Sequence, residues 1–222
     1  MPQEIPVQIG PDWIKKVMVV SHERSGTHFL MNTIADNFGY DSVEWIDLDI
    51  IGTPCNFWAE DNVKSYLEVF NGMPILNLFK SHYPVDFFGK YIGDIAKEFQ
   101  IFYVYRHEKE VMDSFCKHLN AIEWDAGPKV ADGETLAKTA PSGAVMRYQK
   151  IQHPTMLDRL THHVMGWLKV YDKVSFISFD ALRDDFETTV KNIAKVLGHE
   201  APMKIIRPSK FDRVITPNFG GK

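Results

Sequence analysis

The sequence predicts an α/β fold: a single domain with a mostly parallel central sheet flanked by helices. Three observations predict it. Short runs rich in β-branched and aromatic residues alternate with helix-like stretches along the chain. The first run is contiguously apolar rather than alternating, the pattern of a strand covered on both faces. Strands alternating with helices in this way imply parallel pairing through right-handed crossovers. At 222 residues, 45% of them apolar and 13% aromatic, the chain can build one large core, and residues 1–222 are taken as one domain.

In order, "KKVMVVS" (15–21) is the first strand, and "THFLMNTIADNFG" (27–39) is a helix. Phe29 or Leu30, Ile34 and Phe38 recur in that helix at helical spacing, and Gly39 stops it. "MPILNLFKSH" (73–82) is the second strand, "VDFFGKYIGDIAKEF" (85–99) a helix, and "QIFYVYR" (100–106) a third strand rich in β-formers. "EKEVMDSFCKHL" (108–119) is a helix whose acidic first turn suits its dipole. Residues 120–155 are polar and punctuated by Gly, Pro and Ala, and are expected to form a long loop of the kind that serves as a functional lid or is mobile. A helix (155–171), a strand (173–179) and a helix (183–198) follow. In the last, Phe186, Val190, Ile193 and Leu197 make the apolar stripe and Gly198 the stop.

Composition excludes several classes. The net charge of −4 gives no global attraction to nucleic acid, so an anion site needs a local cluster of cations. Cys55 and Cys116 form neither a disulfide framework nor a zinc spacing, which fits a reducing, cytoplasmic setting. The N-terminus has no apolar signal segment, and no apolar run approaches the roughly 18 residues of a membrane span.

Sheets of this kind bind ligands at the carboxyl ends of their strands. There the first strand hands over to a helix through "SHERSGTH". Ser25 and Gly26 allow a tight turn whose backbone N–H groups face an anion, Thr27 falls at the helix N-terminus, and Arg24 adds a fixed charge. The same stretch also reads as an ordinary strand–helix turn with an exposed arginine. It is no Walker A loop: no glycine lies five residues before Gly26, and Thr27-His28 replaces Lys-Ser/Thr, so no metal ligand is evident. "SFISFD", ending at Asp180, is the nearest thing to a Walker B strand. The second strand ends in Lys80 and His82, which share a face if the strand continues. A lysine beside an imidazole keeps it neutral, as a general base requires; the alternative is a surface lysine and a core or solvated histidine. The third strand ends in Arg106, with Ser114 eight residues on. An arginine fork suits a phosphate, although a pairing with Glu108 or Glu110 would explain it as well. Three successive strand ends thus deliver Arg24, Lys80 with His82, and Arg106.

These segments resemble the sulfotransferase family, whose donor is 3′-phosphoadenosine 5′-phosphosulfate (PAPS). "RSGTHF" is similar to its 5′-phosphosulfate loop and "FKSHYP" to its Lys-Thr-His-Leu-Pro segment. "YVYRHEKEVMDSF" is similar to its 3′-phosphate element, "THHVMGWLKVYDKVSFISFDAL" to a later helix and strand, and "PSKFDRV" (208–214) to a late nucleotide-contacting segment. The resemblance implies a P-loop-like sulfotransferase fold of the cytosolic type. It implies that Arg24, Ser25, Gly26, Thr27 and His28 wrap the 5′-phosphosulfate, and that Phe29 holds adenine with Phe211. It implies that Arg106 and Ser114, with Ser209, bind the 3′-phosphate. Catalysis falls to His82 as base, with Lys80 and Arg24 on the transferring group and the bridging oxygen. The implied product is adenosine 3′,5′-bisphosphate (PAP). The implied acceptor is a hydroxyl or amine of a small molecule or glycan, with no metal, nucleic acid or membrane partner. A sulfuryl group carries one negative charge, so Arg and Lys can neutralise the donor without Mg²⁺. Three departures stand out. His28 replaces a threonine, Phe179 stands where many relatives have tyrosine, and "NFGGK" stands in place of an Arg-Lys-Gly lid. Trp124, Tyr148, Phe57, Trp58 and Phe87 are candidates for the acceptor pocket, while His107, His118, His153, His162 and His163 read as structural or solvated. The alternative functions are a degenerate P-loop kinase and a non-catalytic module binding a nucleotide or a sulfated glycan.

Overall fold

The apolar run after Lys15 becomes strand β1 (Lys16–Val20) and is covered on both faces. Val17 and Val19 pack with Phe29, Leu30 and Ile34 of helix α1 (Thr27–Phe38). Met18 and Val20 pack on the other side with Phe79, Tyr103 and Trp167. This two-sided burial is why the run does not alternate. The computed structural model describes residues 15–40, 64, 68, 72 and 77–208. Cys55, Phe57, Trp58, Ser209, Phe211 and Lys222 therefore lie outside the described residues, as do residues 73–76 of the expected second strand.

Among the described residues, β1, β2 (Leu78–Ser81), β3 (Phe99–Tyr105) and β4 (Val174–Ser178) form one sheet in the order β2-β1-β3-β4, every neighbour parallel. The chain steps from β1 outward to β2 and then returns past β1 to β3, which makes the β1/β3 boundary a switch point. Val20 pairs with Ser81 on one side and with Tyr103 on the other, and Tyr105 pairs with Ser178. The segments beginning at Ser21, His82, Arg106 and Phe179 therefore leave the sheet along one edge.

Three expectations need correction. The helix expected over 85–99 is broken into α2 (Val85–Phe88), a 3-10 turn (Gly89–Tyr91) and α3 (Ile92–Glu98). Gly89 takes φ 48° and ψ −127°, which no helix accommodates. Residues 120–155 are not a structureless loop. They hold α5 (Gly133–Lys138), capped by Asp132, and a 3-10 helix (Gly143–Tyr148). Leu136, Val145 and Ala126 are buried against Val111, Phe115 and Leu119 of α4 (Glu108–Ala121) and Met156 and Leu160 of α6 (Met156–Leu168). The apolar anchors are single residues separated by polar ones, so no periodic run betrays them. Finally, the last helical stretch is two helices, α7 (Phe179–Asp184) and α8 (Phe186–Leu197). The stops at Gly39 and Gly198 are as expected, both left-handed at φ 68° and 72°. No helix of the described residues is long and apolar enough to cross a membrane.

Candidate active site

The loop after β1 is built by one turn. Ser25 N–H donates to the His22 carbonyl at 3.3 Å, with Arg24 inside the turn at φ 65°. A left-handed arginine costs on the order of 1–3 kcal/mol and marks a loop held by its surroundings. Gly26 follows at φ 108° as the N-cap of α1 and brings no capping side chain to the orphan N–H groups. A Cβ there would lie 2.3 Å from the Phe179 ring, so glycine is required twice over. The Thr27 hydroxyl, at the cavity, is hydrogen-bonded to Ser21 Oγ.

The strand ends converge. Arg24, Thr27, His28, Lys80, His82, Arg106 and Ser114 all line one cavity of about 550 Å³. Among the described residues, five Lys or Arg side chains line it (Arg24, Lys80, Arg106, Arg147, Arg183) with one carboxylate, Glu23, while Glu110, Asp180 and Asp184 pair with Arg106 and Arg183. In a chain of net charge −4 this is a strong local reversal.

Several pairings differ from expectation. Lys80 Nζ donates to His28 Nε2 at 3.1 Å, and Lys80 and His82 line the same cavity. His82 is set by β1: its Nδ1 lies 3.0 Å from the Ser21 carbonyl oxygen. A carbonyl only accepts, so Nδ1 carries the proton and Nε2 the lone pair. Ser114 Oγ accepts from Arg24 Nε at 3.2 Å, whereas Arg106 pairs with Glu110 at 2.7 Å and lies 4.4 Å from the Phe179 ring centroid. Phe29 is fully buried, stacked on Phe186 and edge-on to Phe179, and borders the cavity floor.

Beneath the loop lies a polar network that the sequence reading missed. Arg159 of α6 holds both oxygens of Glu23, at 2.7 and 3.0 Å, donates to His22 Nε2 and to the Val145 carbonyl, and is 3% exposed. One signal was available, since Arg159 and His163 fall on the otherwise apolar stripe of Met156, Leu160 and Trp167. Burial alone would raise the Glu23 pKa, but the Arg159 charge and hydrogen bonds hold it well below the ordinary value. Glu23 is thus a poor base despite facing the cavity. Burial lowers the His22 pKa to about 4, and burial with His22 nearby holds His163 well below 6.5.

A stability prediction follows from these signs. Unfolded histidines bind a proton near pH 6.5, while His22 and His163 stay neutral in the fold, so below that pH the unfolded chain binds more protons. Stability is full above about pH 6.5 and falls on acidification, by up to about 1.4 kcal/mol per pH unit for each such proton. Glu23, depressed in the fold, adds a further loss once unfolded carboxylates protonate below about pH 4.5. Thermal unfolding should show a midpoint that drops from pH 7 to pH 5; a flat midpoint would contradict the buried neutral pair.

The remaining residues divide plainly. His118, Trp124 and Tyr148 line the cavity, with Trp124 57% exposed. His118, in the last turn of α4, is exposed as expected and also stands at the cavity wall. Phe87 is core. His107 caps α4, and His162 pairs with Asp86 at 3.3 Å. Phe179 and Arg183, not foreseen as site residues, belong to the fourth strand end. Asp180 pairs with Arg183 at 3.0 Å. No group of three or more metal-ligating side chains occurs among the described residues.

Residues 14–215 match the family model described as a sulfotransferase domain. Among solved structures, mouse sulfotransferase SULT7A1 complexed with PAP is similar at 17% identity and a TM-score of 0.51, over 85% of this chain and 60% of that one. Retinol dehydratase in complex with androsterone and inactive cofactor PAP is similar at 18% identity and a TM-score of 0.54, over 83% and 60%. A sulfotransferase from Alicyclobacillus acidocaldarius is similar at 16% identity and a TM-score of 0.50, over 87% of both chains. At these identities the likeness is one of fold, and the chain spans about 60% of the length of the first two. No curated protein matches it significantly.

Proposed function

The chain belongs to the sulfotransferase family, and from that premise we propose that it moves the sulfuryl group of PAPS to a hydroxyl or amine of a small-molecule or glycan acceptor, with His82 as general base. The observation that carries the reading is the convergence of five cationic side chains on one cavity that also contains His82, whose Nε2 holds the lone pair.

The donor set fits a doubly phosphorylated adenosine. The turn of residues 22–26 and the first turn of α1 offer backbone N–H groups to the 5′-phosphosulfate, flanked by Arg24, His28 and Lys80. Arg106 and Ser114 serve the 3′-phosphate, and Phe179, between Arg106 and Arg183, offers a ring face near the base. PAPS supplies the sulfuryl group and leaves as PAP. His82 Nε2 takes the acceptor hydroxyl's proton as its oxygen bonds to sulfur. Arg24 and Lys80 stabilise the charge that the 5′-phosphate gains as its bond to sulfur breaks. Residues 120–155 supply the acceptor wall through Trp124, Ala126, Ala144, Val145 and Tyr148. Its apolar character favours an acceptor with an apolar body.

The reading predicts that PAP raises the unfolding midpoint of the full chain more than AMP does, because only PAP reaches Arg106 with a 3′-phosphate. It also predicts that labelled PAPS delivers label to an acceptor panel. A larger shift with ATP and Mg²⁺ than with PAP would point to the kinase alternative, and PAP binding without transfer to any acceptor would point to a non-catalytic module.

A further inference from the structure

Tyr103, His163 and His82 are joined by hydrogen bonds that the proposed transfer does not use. Tyr103 in β3 is fully buried, and His163 on the inner face of α6 is 3% exposed. The Tyr103 hydroxyl lies 2.8 Å from His163 Nδ1, and His163 Nε2 lies 3.1 Å from the main-chain carbonyl oxygen of His82. The carbonyl can only accept, so His163 carries its proton on Nε2, its Nδ1 holds the lone pair, and the Tyr103 hydroxyl donates to that lone pair. Burial keeps both groups in these neutral forms, raising the phenol pKa and lowering the imidazole pKa. The His22 ring meets His163 edge-on at 5.7 Å and 89°, which limits its rotation.

His82 needs such support. Strand pairing ends at Ser81, so His82 is the first residue beyond the last paired position of β2. Its ring is fixed from β1 by the Ser21 carbonyl and its main chain from α6 by His163. A residue gripped at both ends, in a plane set by two other elements, holds its Nε2 on one bearing.

We propose that Tyr103 and His163 are positioning residues for His82: the phenol donates to Nδ1 and holds the His163 ring in place, and the Nε2–H that faces the His82 carbonyl clamps the His82 main chain. The proposal rests on His82 being the general base. Its alternative is that the pair is only a satisfied core contact.

Tyr103→Phe keeps the buried ring and removes only the hydroxyl that donates to His163 Nδ1. It should lower kcat by about 10- to 100-fold, with PAP affinity within about twofold of the parent chain. His163→Gln carries an amide donor at the reach of Nε2 and needs no Tyr103, so Tyr103→Phe with His163→Gln should recover most of the lost kcat. A purely structural pair predicts no such rescue. NMR of the full chain with ¹⁵N-labelled histidine gives an independent readout, with His163 protonated on Nε2 in both chains and its bare Nδ1 resonance moved in Tyr103→Phe, where it loses the phenol's hydrogen bond. Parental kcat in Tyr103→Phe, equal losses in the single and double variants, or a parental His163 protonated on Nδ1 each overturn the proposal. A parent chain that binds PAP but transfers nothing overturns the base reading first, and the catalytic role of the pair falls with it.

Discussion

Replacing His82 with alanine is expected to lower sulfotransfer turnover by about 10²–10⁴-fold, the usual loss for a general base, while PAP affinity stays close to that of the parent chain. The split between the two readouts follows from the geometry. The cavity's cations are supplied by other residues, so the donor keeps Arg24, Lys80, Arg106 and Ser114 when the imidazole is removed. What is lost is a nitrogen that holds its lone pair because the Ser21 carbonyl fixes the proton on Nδ1. The two nearest substitutes are poorly suited. Glu23 faces the cavity, but Arg159 holds both its oxygens. His28 Nε2 already accepts from Lys80. His82→Ala should therefore find no replacement base of comparable strength. Single-turnover rates with saturating PAPS, set beside calorimetric titration with PAP, separate the outcomes. Parental turnover would remove His82 from the chemistry. A parallel collapse of PAP affinity would make it a binding residue instead.

Most of the architecture could be read from the sequence because it depends on local signals that the sheet makes global. An apolar run without alternation means a strand covered on both sides, and β1 is one. Once the strands are parallel, their carboxyl ends share an edge. Arg24, His82 and Arg106, far apart in sequence, could be placed together without any contact being known. The same rule applied to β4 would have reached Phe179 and Arg183, which stand at the fourth such end.

What could not be read depends on side-chain direction and on distant partners. That Lys80 would donate to His28 depends on where α1 places its first turn, which no local pattern in the second strand gives. Phe29 borders the cavity as expected but is held by ring contacts to Phe179 and Phe186, which come from α7 and α8 far along the chain. Residues 120–155 carry helix only in short pieces, and α5, six residues long, shows no repeating apolar face in the sequence. The pairing of Glu23 with Arg159 spans 136 residues. Only the presence of arginine and histidine within an apolar helical stripe hinted that something polar lay opposite.

That pairing sets up the second large effect. Arg159→Met is expected to destabilise the chain by about 3–5 kcal/mol, because it leaves a buried carboxylate without its counter-charge. The loss is not confined to the ion pair. His22 Nε2 and the Val145 carbonyl also accept from Arg159, so four acceptors on two segments lose one donor group together. Removing both charges behaves differently, since an apolar pair of similar volume restores much of what a broken pair costs. Arg159→Met with Glu23→Leu should therefore unfold at a urea midpoint well above that of the single variant. It should stay short of the parent, because His22 Nε2 and the Val145 carbonyl still lack a donor, each costing about 1–3 kcal/mol if water does not reach it. Urea denaturation with equal slopes for the three chains measures this directly. A single variant losing less than about 1 kcal/mol would mean that solvent reaches Glu23. A double variant no better than the single would mean that the hydrogen bonds to His22 and Val145, rather than the charge pair, tie the loop after β1 to the 3-10 helix at Val145.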